Sequence, residues 1–160
     1  MKFIKVILIL SFINSLAYAD KDMKIGSKGS LNEVNRIVKV VMYDNYYEPS
    51  SFKIKAGETI KFELVNAGEL VHEFNIANKM MHMKHQPQME KMVENEILFA
   101  DSIDKNKMKK MAKIDKSMGH SHSNSVLLEP KQKGEIIWKF NNAVNIEIGC
   151  NVPGHYQVGM

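Results

Sequence analysis

The chain has 160 residues, a formal charge of +4 and 44% hydrophobic residues. That length suits one domain, and so weak a positive balance makes no case for nucleic-acid binding. One cysteine cannot make a disulfide within its own chain, which excludes a disulfide scaffold.

The first 19 residues, MKFIKVILILSFINSLAYA, carry Lys2 and Lys5, then an apolar run, then Ala17-Tyr18-Ala19. This is the pattern of a secretory signal cut before Asp20. The apolar run is well short of the roughly 20 residues that span a bilayer, and no later stretch is apolar enough to do so. The expectation is a soluble, exported, periplasmic protein of residues 20–160, with no membrane insertion after cleavage and no nucleic-acid partner. Losing Lys2 and Lys5 lowers its formal charge to +2. Exported cysteines usually come in pairs. A lone Cys150 is therefore an intermolecular bridge, a reactive thiol or a metal ligand.

Residues 20–35 are polar and contain Gly and Ser, and are expected to form a flexible leader. RIVKVVMYD (36–44) is a β-branched strand. Tyr46 to Ser51 contains Pro49 and reads as a turn, with Tyr46 and Tyr47 as packing or edge residues. In FKIKAGETIKFELVN (52–66), apolar Phe52, Ile54, Ile60, Phe62 and Leu64 alternate with polar residues on either side of Ala56-Gly57-Glu58. This predicts two half-buried strands about a turn. LVHEFNIAN (70–78) is a further strand, with His72, Phe74 and Ile76 on its apolar side.

The pattern changes over residues 79–124. That segment holds eight of the twelve methionines and four of the six histidines. A helix is expected over Gln88 to Leu98, with Met89, Met92, Val93 and Glu96 on one side. Lys105 to Lys113 reads as a solvated helix, and Gly119 to Ser125 as loop. Strands resume at 125–130, 135–141 and 145–150, with Ile136, Trp138 and Phe140 facing the core. Without the insertion about 95 residues remain, close to a small Greek-key sandwich. The expected fold is all-β, a Greek-key β-sandwich over 36–160 with a Met/His-rich, partly helical insertion.

The chain ends CNVPGHYQVGM, placing Cys150, His155 and Met160 at five-residue intervals. Thiolate is a soft ligand, imidazole is borderline and thioether is soft and weak. The mixture suits copper as Cu(I) or Cu(II), and a trigonal His₂Cys site with a long axial Met is the blue-copper arrangement. A strand delivers Cys150 and Pro153-Gly154 turns the chain, so a tight loop can gather all three. The tail lacks one imidazole, which His72 would supply.

The tail motif C-x-x-P-G-H-x-x-x-G-M resembles the ligand loop of the cupredoxin family, plastocyanin and its relatives. Residues 52–66 resemble the paired strands before that family's first histidine ligand, and L-V-H-E-F-N resembles the ligand's strand. The Met/His-rich insertion, followed by HSNSVLLEP and IIWKF, is similar to periplasmic copper-tolerance cupredoxins of the CopI type. The resemblance implies a cupredoxin fold, with His72, Cys150 and His155 as trigonal copper ligands and Met160 as the weak axial one. It also implies that the backbone N–H of Glu73 donates to the Cys150 sulfur, a bond that tunes metal potential. One departure is that cupredoxins usually continue past the axial Met into a final strand. Ending at Met160 implies an unpaired sheet edge and a frayed axial ligand.

Within the insertion, Met80, Met81, His82, Met83 and His85, with His120 and His122, are candidate auxiliary copper ligands. The alternative is a solvated excursion that uses Met as adaptable packing. Zinc at either histidine pair would need more ligands than that pair provides. The expected function is copper tolerance by copper binding, without catalysis. The other reading is a one-electron carrier with a periplasmic redox partner. A multicopper oxidase would need several His-x-His pairs, and only His120-x-His122 exists; a dinuclear purple-copper site would need two cysteines. An adhesion or scaffold sandwich leaves the tail unexplained.

Overall fold

The structure, a computed structural model, describes residues 25–141 and 145–160. The expected signal at 1–19 and residues 20–24 lie outside the described residues. Two sheets form the framework. The larger has the order β1-β7-β4-β2-β3, built from β1 (Ser27–Lys28), β7 (Lys133–Phe140), β4 (Glu58–Asn66), β2 (Arg36–Tyr43) and β3 (Tyr46–Glu48). The smaller has the order β6-β5-β8, from β6 (Ser125–Leu128), β5 (His72–Ala77) and β8 (Glu147–Gly149). β2 runs parallel to β4, while β4 and β7 are antiparallel. The neighbours are mostly non-consecutive, as a Greek-key sandwich requires.

The inner faces meet through aromatic rings. Phe62 on β4 packs against Phe74 on β5, with ring centroids 5.2 Å apart, and against Phe140 on β7 at 6.3 Å. All three phenylalanines are fully buried, each stabilising the fold by about 1.5–3 kcal/mol. Ile136, Trp138 and Phe140 share the core face of β7 as the alternation predicts.

Several local expectations need correction. Part of the expected flexible leader, residues 25–35, is ordered: β1 pairs with β7, Ile25 is buried, and the indole N–H of Trp138 donates to the Ile25 carbonyl at 3.0 Å. The expected turn at 46–51 begins as strand β3. Residues 52–57 form no strand. Phe52 anchors them instead by packing on Phe62 at 5.4 Å, and Gly57 N–H donates to the Phe140 carbonyl.

The insertion is not an excursion. Its first helix, α1 (Lys79–Glu94), starts well before the expected Gln88, capped by the Asn78 side chain. α1 lays His82, His85, Met89 and Met92 inward, a stripe at helical spacing. Val93 is exposed and Glu96 lies beyond the helix end. A second helix, α2 (Lys105–Met111), carries the lysine run, with Lys105 and Lys107 bonded to Glu129 and Glu96. Met89, Met92, Ile97, Leu98 and Met118 join the core. The insertion therefore covers the outer face of the smaller sheet, and β5 is buried on both sides. Among the described residues, no helix is long and apolar enough to cross a membrane.

Candidate metal centre

Alternation along β5 sends neighbouring side chains to opposite faces. His72 shares the inner face with Phe74 and is fully buried. The preceding turn is held by buried Asn66, whose side-chain amide donates to the carbonyls of Leu70 and Leu128 and accepts from Gly68 N–H. Gly68 is needed there because a Cβ would lie 2.9 Å from His72 Nε2 and clash with Asp44.

β8 delivers Cys150, and residues 151–160 fold into a closed loop. His155 N–H donates to the Val152 carbonyl, Met160 N–H to the His155 carbonyl, and Cys150 N–H to the Met160 carbonyl. Gly154 takes a positive φ of 91° in this loop, a conformation glycine adopts without strain. Met160 is buried and tied by two backbone hydrogen bonds, so the expected fraying is not observed. The expected open edge corresponds to β8, which pairs with β5 alone among the described residues.

The fold brings His72, Cys150 and His155 together. Cys150 Sγ lies 4.0 Å from His72 Nδ1 and 3.4 Å from His155 Nδ1, with the imidazole centroids 5.1 Å apart. A trigonal ion about 2.0–2.3 Å from each donor needs nitrogen–sulfur separations near 3.8 Å, and the two observed distances straddle that value. His72 and Cys150 are fully buried and His155 is half-buried. One thiolate and two imidazoles can hold a soft to borderline ion such as copper or zinc.

Burial dominates the charge states of these donors. Burial pushes the Cys150 thiol up to about 12, although the Glu73 N–H, 3.3 Å from the sulfur, opposes that rise. A bound cation would stabilise the thiolate, as metal sites generally do. Burial, with neighbouring His72 adding to it, holds His155 below its ordinary value, the direction that favours the neutral ring a ligand needs. Asp44 Oδ1 contacts His72 Nε2 at 2.8 Å, and this bond holds the Asp44 carboxyl below the usual range. Asp44 thus orients Nδ1 of His72 toward Cys150, the outer-shell arrangement typical of metal-bound histidine. Sequence reading missed Asp44, because it lies 28 positions from His72 and no local motif joins them.

The outer face of β5 holds a second cluster, centred on Glu73. Its buried Oε1 accepts from His85 Nε2 at 3.0 Å, from His120 Nε2 at 2.7 Å and from the Ser125 hydroxyl. Its Oε2 accepts from the backbone N–H and side-chain amide of Asn151. Burial alone would raise the Glu73 carboxyl, but the hydrogen bonds from His120 and His85 hold it well below the usual range. Burial likewise disfavours a charged His85, and Glu73 outweighs it, leaving His85 raised. The Glu73 carboxylate was also missed, since a charged residue inside a strand normally marks a solvent face.

The other insertion candidates separate. His82 is buried against the ligand loop, stacked on Tyr156 at 5.0 Å and bonded to Asn151. Met80 and Met83 are exposed, and Met81 is partly buried. His122 stands beside His85 and His120.

Comparison with known proteins agrees with this architecture. The model of the cupredoxin-like domain matches residues 6–102. The copper-resistant cuproprotein CopI of Pseudomonas aeruginosa is 40% identical over 141 residues, covering 84% of this chain and 78% of that protein. CopI of Rubrivivax gelatinosus is 28% identical over 142 residues, 88% of this chain and 72% of that one. Among solved structures, auracyanin B aligns with a TM-score of 0.57 at 14% identity, covering 84% of this chain and 91% of its own. With the two-sheet fold and the gathered tail, these matches show that the chain belongs to the cupredoxin-like family.

Proposed function

We propose that this protein is a periplasmic, non-catalytic cupredoxin that binds copper in a type 1 site and contributes to copper tolerance. The observation that carries the reading is the approach of His72 Nδ1 and His155 Nδ1 to the buried sulfur of Cys150. In this reading those three atoms hold the ion, and Met160 supplies a weak axial thioether. Asp44 fixes the His72 ring and Glu73 N–H bonds the sulfur. Bound copper would supply a Cu(I)/Cu(II) couple, and the chain's part is to bind, orient and desolvate it. The relatives named as copper-resistant cuproproteins support a role in tolerance over electron carriage.

The test is the visible spectrum of residues 20–160 with one equivalent of Cu(II). An intense thiolate-to-copper band, absent from Cys150→Ser, is the expected result. A colourless native protein would defeat the reading. Deletion of the gene should sensitise growth to copper, and periplasmic fractions should hold the protein. A second reading, one-electron transfer to a periplasmic redox partner, draws on the partial exposure of His155, which gives an electron a route out of an otherwise buried site. Impaired respiration with unchanged copper sensitivity would favour it.

A further inference from the structure

The histidine pairs of the insertion lie about 40 positions apart in the chain, and each alone has too few donors for a metal. The fold joins one member of the first pair to both members of the second. His85 comes from α1, and His120 and His122 from the loop before β6. Their ring centroids form a near-equilateral triangle with sides of 5.3, 5.1 and 5.4 Å. The Glu73 carboxylate closes the group. Ligand atoms of Glu73, His85 and His120 all lie within 4.8 Å of one another.

Three features distinguish this from a simple buried ion pair. First, both imidazoles aim Nε2 at the same oxygen, Glu73 Oε1, which also receives the Ser125 hydroxyl and lies 3.2 Å from the Asn75 amide nitrogen. One carboxylate oxygen has two lone pairs, so more donors converge on it than it can serve well. Second, His85 Nδ1 lies 3.0 Å from Gln88 Oε1. That contact fixes the ring and leaves Nε2 as the inward nitrogen, as in metal-bound histidines. Third, a cavity of about 200 Å³ adjoins the group, lined by His85, His122, Gln88, Asn75, Asn124 and Met81.

We propose that Glu73, His85, His120 and His122 form a second metal site that takes one divalent ion of borderline softness, Zn(II) or Cu(II). Three imidazoles and a carboxylate are a four-donor N/O set suited to either ion. The site needs none of His72, Cys150, His155 or Met160, so it stands apart from the type 1 reading. Asn151 links the two sites: its N–H groups hold Glu73 Oε2, and it follows Cys150 directly.

The test uses the Cys150→Ser protein of residues 20–160, titrated separately with Zn(II) and Cu(II) against a competing chelator, with electron paramagnetic resonance on the copper arm. The expected result is one tightly held equivalent, lost in Cys150→Ser/His85→Gln/His120→Gln. Glutamine keeps a donor for Glu73 while removing the imidazole. His122→Ala, in the loop, should weaken the site at least about tenfold and is a second variant should the glutamines unfold the chain. Retention with zinc alone or with copper alone supports the site and names its ion. No bound ion in Cys150→Ser, or binding unchanged by the histidine variants, overturns the proposal. A native protein that shows the thiolate band but holds only one ion defeats this site without touching the type 1 reading.

Discussion

The two faces of β5 carry two clusters that differ in chemistry. The inner one joins a thiol to two imidazoles against the aromatic core, with Asp44 behind His72. The outer one joins a carboxylate to imidazoles under α1 and the loop before β6. Adjacent residues, His72 and Glu73, belong to different clusters because a strand alternates its side chains. Each face of β5 is buried because another layer covers it: the larger sheet inside, the insertion outside. The insertion thus acts as a third layer that makes a buried charged cluster possible.

Breaking the shared element should have the largest effect. Glu73→Leu would leave His85 and His120 buried without their carboxylate acceptor and would remove the oxygen that holds the backbone N–H and amide of Asn151. Removing one partner of a buried ion pair costs about 3–5 kcal/mol, so urea denaturation should show a loss of that order, with both clusters disturbed. Met89→Ala separates the faces instead. Met89 is fully buried on α1, one turn from His85. A loss of about 2–5 kcal/mol is expected, with metal retention falling at the outer cluster more than at the inner one.

Asp44→Asn sharpens the comparison from the other side. The His72 ring loses its carboxylate partner, so affinity at the inner cluster should fall about 10–100-fold. Chelator competition should find the outer cluster unchanged. Smaller still is the pH dependence of the metal-free protein. The lowered carboxyl of Glu73 contributes stability above its ordinary value, about 4.5, and loses it as pH falls through the folded value. The raised His85 contributes below its ordinary 6.5 and loses it as pH rises through the folded value. The pair therefore favours folding most between these ordinary values, and His85→Gln should flatten the alkaline limb in denaturation curves. Met80→Ser/Met83→Ser, at exposed positions, should change stability by under about 0.5 kcal/mol.

The inner cluster was largely legible in the chain because its signals are local. Cys150, His155 and Met160 share one short loop, and His72 stands in a strand whose alternation shows its face. The β-sandwich was legible for the same reason, from the period-two alternation of Ile60, Phe62 and Leu64 and of Ile136, Trp138 and Phe140. Helix α1 was half hidden. Two members of its buried stripe, His82 and His85, count as polar, so apolar periodicity begins only at Met89.

What the sequence determined by itself was the material of the family: alternating strands, a soft ligand loop, and an insertion rich in methionine and histidine. Tertiary structure decided how those residues were spent. Met89, Met92 and Met118 became core because the insertion folds back onto β5, burying apolar thioether surface that would otherwise face water. His82 became packing for the ligand loop, while His85 and His120 met at Glu73 with His122 beside them. No spacing along the chain encodes that meeting. It depends on a helix and a distant loop closing over one strand, and on the burial of a carboxylate that must then find partners.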